Sequence, residues 1–171
     1  INSVEINQWF AEINQLILEA RTDQAKSKFS EALSQPIVDA YSANLLGLVA
    51  NSLNELNQAE AIYRLGIQLD PKFLPLYSNL GNLLAKKGSL LDAVNVYQEG
   101  MSCPGDQAEL LVNFGLTLSY LGKNDDAVYI LNKAISLRPD FIEAHLNLGL
   151  VLIQQTRYVD AATCFHKVLA L

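Results

Sequence analysis

The sequence predicts an all-α, right-handed superhelical solenoid of five helical hairpins. A pair formed by a large apolar residue and glycine recurs every 34 residues, at Leu46-Gly47, Leu80-Gly81, Phe114-Gly115 and Leu148-Gly149. An alanine recurs with the same period, at Ala25, Ala59, Ala93, Ala127 and Ala161. A period of this length is typical of arrays of small helical units, in which each unit buries its apolar face against its neighbours.

The repeat divides the chain into units of equal length. With Gly81 counted as position 8, residues 1–171 form a single array with units 6–39, 40–73, 74–107, 108–141 and 142–171. Each unit holds two amphipathic segments of helical period, separated by a break near position 15. The helices are predicted near 3–20, 23–34, 38–53, 56–69, 73–87, 90–102, 107–121, 125–137, 141–155 and 158–170. Because the helical pattern continues to the last residues, we expect the chain to be a fragment of a longer protein.

The breaks carry residues that stop and start helices. Gly88 and Gly122 follow a first helix and favour a left-handed C-terminal cap. Asn2, Ser89 and Asp106 each precede a helical segment and have an acidic residue three positions later, which is typical of a capping box. These three side chains are therefore predicted N-caps.

Composition excludes several classes of function. The net charge is −6, and Lys and Arg are scattered singly apart from Lys86-Lys87, so the basic patch of a nucleic-acid binder or of a membrane-surface protein is missing. No apolar run reaches the roughly 18 residues of a membrane span. Cys103 and Cys164 fall among apolar positions and are predicted to be buried thiols of a reducing compartment. We expect a soluble cytoplasmic protein that binds neither nucleic acid nor membrane.

Catalytic and metal-binding constellations are also missing from the sequence. His145 lies at a packing position and His166 at an outward one, which gives neither metal-ligand spacing nor a nucleophile–base pair. Asp125 and Asp126 lie at a predicted helix start, where carboxylates favour the helix dipole. We expect no enzymatic activity, no bound metal and no cofactor.

The pattern resembles that of the tetratricopeptide repeat (TPR) family. Small residues at positions 8 and 20, an aromatic residue or Leu at position 24 and a late Pro recur in phase over residues 6–171, although Ile13 replaces the glycine of the first unit. The resemblance implies a superhelix whose concave wall is lined by the first helix of each hairpin, at positions 2, 5, 6, 9, 12 and 13. Such walls typically bind protein partners.

On this sequence the implied wall is rich in amides and nearly free of charge. The candidate peptide-binding residues are Tyr41, Asn44, Asn79, Asn82, Asn113, Leu116, Tyr120 and Asn147. Asn79, Asn113 and Asn147 share position 6, and such a row offers donors and acceptors to the main chain of an extended peptide. The alternative is that these amides keep the groove wet or bond neighbouring helices.

Three functions follow from this reading. The first is a scaffold that captures an extended segment of a partner protein, mainly through its main chain. The second is a substrate-recruiting arm of a larger enzyme, since the row resembles the asparagine ladder of O-linked N-acetylglucosamine transferases. The third is a self-assembly module, because Val159 and Leu171 add apolar surface to the last helix and predict homo-oligomer contact through residues 142–171.

Overall fold

The computed structural model describes residues 3–171, and the side chains from residue 5 onward. Within this range it contains ten α-helices and no strand: α1 (Ser3–Leu18), α2 (Thr22–Leu33), α3 (Ala40–Ser52), α4 (Leu56–Leu69), α5 (Leu74–Lys86), α6 (Leu90–Gly100), α7 (Ala108–Tyr120), α8 (Asn124–Leu137), α9 (Ile142–Gln154) and α10 (Tyr158–Leu169). The predicted all-α fold is confirmed, and every predicted helix is found within two residues of its expected bounds. None of the described helices has the length and apolar character that a membrane span requires.

The helices form five consecutive hairpins arranged as a superhelical repeat. The two helices of each hairpin pack together, and each second helix also packs against the first helix of the next hairpin. The backbones of the first helices α1, α3, α5, α7 and α9 also approach one another closely from hairpin to hairpin, whereas the backbones of the described second helices stay farther apart. Crowded first helices and separated second helices make the array curve, with the first helices on its inner side. We call their exposed face the inner wall.

The hairpins close through a glycine that accommodates a large side chain. A Cβ atom built on Gly47 would lie 2.2 Å from Cε1 of Tyr63, and one built on Gly81 would lie 2.3 Å from Cε1 of Tyr97. Position 8 therefore faces the ring at position 24, and a methyl group cannot fit unless that ring moves. In the first hairpin, Ile13 takes the place of the glycine and is itself fully buried.

The turn inside each hairpin has the same backbone conformation in all five units. The residue at position 15 has a positive φ each time: Ala20 (56°), Asn54 (61°), Gly88 (82°), Gly122 (73°) and Thr156 (60°). The next N–H donates to the carbonyl five residues earlier, as in Ser89 N to Leu84 O at 2.9 Å. This is the Schellman geometry that ends helices with a left-handed residue, and it confirms the predicted caps at Gly88 and Gly122.

The predicted N-caps are only partly correct. Ser89 makes no side-chain cap bond, because its φ of −81° and ψ of 61° differ from the extended backbone of an N-cap. Asp106 accepts from Ala108 N at 2.9 Å, but it stands one residue before the cap position of α7, which is Gln107 and makes no side-chain cap bond; Asn2 lies outside the described residues. The cap missed at the sequence level is Asp39, whose carboxylate accepts from Ser42 N at 2.6 Å, so α3 begins at Ala40 rather than near residue 38.

The two tyrosines at position 24 differ in their hydrogen bonding. Tyr97 donates its hydroxyl to Asn82 Oδ1 at 2.6 Å, whereas the buried hydroxyl of Tyr63 has no hydrogen-bond partner among the described residues. The difference follows from position 9, which is Asn82 in the third unit and Leu48 in the second. Burial raises the pKa of both phenols, that of Tyr97 to about 12. Tyr63 therefore carries an uncompensated desolvation cost that Tyr97 avoids.

Tyr63→Phe and Tyr97→Phe are expected to change stability in opposite directions. Removing the unpaired hydroxyl of Tyr63 should raise the free energy of unfolding by up to about 1 kcal/mol, whereas removing the hydroxyl of Tyr97 should lower it by about 1 kcal/mol. Urea unfolding followed by circular dichroism measures both variants against the parent chain. Equal changes for the two would contradict the assignment of an unpaired hydroxyl to Tyr63 alone.

Candidate functional site

All eight candidate residues lie on the first helices that form the inner wall, although their exposure differs. Tyr41, Asn82 and Tyr120 are exposed, and Tyr120 retains 69% of its accessible surface. The position 6 row of Asn79, Asn113 and Asn147, together with Leu116, is half-buried. Asn44 is buried, with 9% of its surface exposed. The eight residues therefore cannot all contact a ligand in the same way.

Polar side chains that lie 34 or 35 residues apart bond across neighbouring first helices. The bonds are Tyr41 OH to Asn7 Oδ1 (2.7 Å), Asn79 Nδ2 to Asn44 Oδ1 (2.8 Å), Lys86 Nζ to Asn51 Oδ1 (3.1 Å) and Ser119 Oγ to Gln154 Oε1 (3.2 Å). They fix how one first helix lies against the next. For Asn44 and Asn79, the alternative in which wall amides bond neighbouring helices is the one observed.

Asn113 and Asn147 have different surroundings from Asn79, although the three share position 6. Asn79 bonds the residue at position 5 of the preceding unit, and that place is taken by Ser78 before Asn113 and by Val112 before Asn147. A serine is shorter than asparagine, and a valine has no hydrogen-bonding group. The carboxamides of Asn113 and Asn147 make no hydrogen bond to any described residue. Each therefore retains two donors and an acceptor for a ligand.

Asn82 and Tyr41 are partly engaged within the fold. Asn82 Oδ1 accepts from the hydroxyl of Tyr97, so the carboxamide keeps its N–H groups for other contacts. Tyr41 donates its hydroxyl to Asn7, which holds its ring against the first hairpin. These bonds orient both side chains on the wall before any ligand arrives.

Helices α7 and α9 add exposed apolar side chains to the inner wall. Leu116 and Tyr120 on α7 are joined by Leu146, Leu150 and Ile153 on α9, and Leu150 exposes 53% of its surface. None of these three α9 residues is among the eight candidates, although positions 5, 9 and 12 place them on this wall. The wall therefore gains exposed apolar surface on α7 and α9, beside the carboxamides of Asn113 and Asn147.

Acidic side chains stand at the start of the same two helices. Glu109 and Glu143 are both at position 2 and both exposed. Arg138 bonds Asp106, lies 3.8 Å from Glu109 and places its guanidinium 4.6 Å from the centre of the Phe141 ring. Hydrogen bonding to Arg138 lowers the pKa of Asp106. Glu143 makes no ion pair in the described part of the chain.

His145 and the two cysteines pack within the fold. The Nε2 atom of His145 lies 2.9 Å from the carbonyl oxygen of Pro139, which repeats the bond that Tyr77 OH donates to Pro71 O at 3.0 Å. Cys103 and Cys164 are buried as predicted, and desolvation raises the pKa of both thiols. Among residues 3–171, no group of three or more His, Cys, Asp or Glu side chains is arranged to hold a metal ion.

Asn79→Ala and Asn113→Ala form a matched pair that tests these surroundings. Asn79→Ala should lower the free energy of unfolding by about 1–2 kcal/mol, because it leaves the buried oxygen of Asn44 without a donor. Asn113→Ala should change it by less than about 0.5 kcal/mol. Urea unfolding, with an Asn44→Ala and Asn79→Ala double-mutant cycle, measures the bond directly. Equal costs at positions 79 and 113 would show that the row is uniform after all.

Comparisons with known proteins agree with the hairpin architecture. Residues 40–73 match a family model described as tetratricopeptide repeat, and residues 115–156 match one described as TPR repeat. No curated protein sequence gives a significant match. Similar solved structures include MamA from Desulfovibrio magneticus RS-1, with 18% identity over 97% of this chain and 94% of that chain and a TM-score of 0.78.

Two further structures have the same fold. Pseudomonas aeruginosa pilF is 18% identical over 96% of this chain and 75% of that chain, with a TM-score of 0.79. YrrB, described as a TPR protein with an unusual peptide-binding site, is 24% identical over 82% of this chain and 72% of that chain, with a TM-score of 0.68. At these identities the likeness concerns the fold alone. Residues 40–73 and 115–156 are thus tetratricopeptide repeats, and the ten helices of the described chain fit about five TPR hairpins.

Proposed function

We propose that this chain is a protein–protein interaction scaffold that binds an extended segment of a partner protein along its inner wall. The TPR fold is consistent with such a scaffold, and TPR proteins are generally non-catalytic. The observation that carries the proposal is the pair of half-buried carboxamides of Asn113 and Asn147, which have no hydrogen-bond partner among the described residues. Neighbouring first helices present them on the same face.

The chemistry of a carboxamide suits the main chain of a peptide. Every residue of an extended segment other than proline offers one N–H and one C=O, and Asn can accept from the first and donate to the second. Each bond contributes about 1 kcal/mol net. We assign the main-chain contacts to Asn113 and Asn147, with support from the free N–H groups of Asn82. Tyr41, Leu116 and Tyr120 contact the side chains of the segment.

The hydrogen-bonded pair of Asn44 and Asn79 has a supporting role in this proposal. Asn44 and Asn79 bond each other, so Asn79 can offer a ligand only its oxygen and its second amide hydrogen. The same wall would serve a recruiting arm of a larger enzyme equally well. The two functions differ only in what is attached to the array.

The double variant Asn113→Ala and Asn147→Ala should lose peptide affinity while its stability stays within about 0.5 kcal/mol of the parent. The loss of two hydrogen bonds should raise the dissociation constant on the order of thirtyfold. Peptides selected on the parent chain from a displayed random library provide the probes, and fluorescence anisotropy measures their dissociation constants.

The matched control is the double variant Asn95→Ala and Asn132→Ala, which removes two exposed amides from the second helices α6 and α8. It should bind the selected peptides as the parent does. Binding should also depend only mildly on salt, since few wall charges are available for screening. The proposed site would be refuted by peptides that bind the wall variant as tightly as the parent chain and dissociate from both at moderate salt.

A second candidate function, self-association through the fifth hairpin, is favoured by the apolar surface of α10. Val159 and Leu169 expose 83% and 85% of their surfaces, and Tyr158 and Leu171 are exposed beside them. Exposed apolar surface of this kind favours contact with a partner, and the corresponding face of a second copy is apolar too.

Val159→Lys with Leu171→Lys should abolish any concentration-dependent rise in mass, because two charges would be desolvated in a paired interface. Light scattering across a concentration series measures the mass of the parent chain and of the variant. Leu65→Lys, a change at an exposed leucine of α4, is the control that should leave pairing intact. A parent chain that stays monomeric at high concentration excludes this function.

A further inference from the structure

We infer that the partner segment bound by the inner wall carries bulky apolar side chains where it crosses α7 and α9, with lysine or arginine beside them. This inference rests on the proposed function and specifies the ligand class of the same wall. It depends on two properties of α7 and α9 that α3 and α5 lack. One is a cluster of exposed apolar side chains, and the other is an acidic edge.

The apolar cluster consists of Leu116, Tyr120, Leu146, Leu150 and Ile153. All five are at wall positions, and four of them are exposed while Leu116 is half-buried. Neighbouring first helices are aligned by contacts between residues 34 or 35 apart, and the bond from Ser119 to Gln154 fixes this alignment between α7 and α9. Leu116 and Leu150 are 34 residues apart, so the cluster is continuous across the two helices.

Two of these positions carry asparagine in the second or third unit. Position 9 is Asn82 in the third unit and Leu150 in the fifth, and position 12 is Asn51 in the second unit and Ile153 in the fifth. Asn51 accepts from Lys86 and thereby joins two first helices, whereas the exposed isoleucine has no comparable role in the fold. Apolar surface left in water gains free energy when a ligand covers it.

The amides and the cluster are placed for a segment in extended conformation. Asn113 lies one helical turn before Leu116, and Asn147 lies between Leu146 and Leu150 in the sequence. Successive side chains of an extended segment point to opposite sides. A segment bonded through its main chain to the two asparagines can therefore direct alternate side chains into the apolar cluster.

The acidic edge determines the sign of the charge that such a segment can carry. Glu143 lies one helical turn before Leu146, is exposed and has no cationic partner in the described chain. Glu109 occupies the equivalent place on α7, and its neighbour Arg138 is already bonded to Asp106. Of the wall residues on α7 and α9, none is Lys or Arg. A cationic side chain is attracted here, and a carboxylate is repelled.

Three synthetic peptides of equal length, acetylated and amidated at their ends, test the inference by fluorescence anisotropy. They alternate Leu with Lys, Leu with Glu, and Ser with Lys. The Leu–Lys peptide should bind the parent chain at least about tenfold more tightly than either of the others, because only it satisfies both the apolar cluster and the acidic edge.

Variants assign the preference to this part of the wall. Leu150→Ser with Ile153→Ser should weaken binding of the Leu–Lys peptide by about tenfold or more. Val159→Ser, at an apolar residue outside the wall, is the control that should leave binding unchanged. Glu143→Gln should reduce the preference for Leu–Lys over Leu–Glu, whereas Glu99→Gln on the outer helix α6 should not.

The outcomes separate the inference from the proposed function. If the parent chain binds all three peptides equally and the double variant Asn113→Ala and Asn147→Ala loses this binding, the inference is wrong and main-chain capture is still supported. If the Leu150 and Ile153 changes weaken peptide binding and the asparagine changes do not, main-chain capture is wrong and binding through the apolar cluster is supported. Absence of binding by every peptide overturns both. A concentration-dependent mass of the free chain that the Leu150 and Ile153 changes abolish would identify a second copy as the occupant and overturn the inference.

Discussion

The close approach of the two helices in each hairpin is the constraint on which the array depends. Gly47 and Gly81 leave room for the rings of Tyr63 and Tyr97, and a Cβ atom in either place would meet ring carbon at less than 2.5 Å. Because the rings fill this space, the second helix lies against the first, and the backbones of the first helices approach their counterparts in the next hairpin more closely than those of the second helices do. The curvature of the array, and hence its inner wall, follows from that asymmetry.

Repeat periodicity fixes where a side chain lies but not what it contacts. Asn79, Asn113 and Asn147 have the same position, yet only Asn79 has an asparagine beside it in the preceding unit. The pairing joins position 5 of one unit to position 6 of the next, so the occupant of position 5 decides whether the amide stabilises the array or remains available. In the proposed function, the amides that can bind a ligand are therefore those whose neighbour in the preceding repeat does not match them.

Much of the fold could be predicted from the sequence, because a fixed period constrains all five units together. The helices, the left-handed caps at Gly88 and Gly122 and the buried cysteines are found as expected. The bond between Asn44 and Asn79 could not be predicted, since it depends on a one-residue offset between neighbouring helices that the 34-residue period conceals. Ser89 failed as a cap for a related reason: it also completes the turn after α5, and that geometry turns its backbone away from the extended conformation.

The inner wall changes along its length in a way that has energetic consequences. In the second and third units, wall side chains such as Asn51 and Lys86 bond each other, so a ligand there must compete with contacts that already stabilise the array. In the fourth and fifth units, Leu150 and Ile153 have no such contacts to lose, and covering them releases water at no cost in broken bonds. Under the proposed function, the free energy available for binding is therefore concentrated towards α7 and α9. A ligand that engages this end first can gain most of its affinity before it reaches the amides that are already paired.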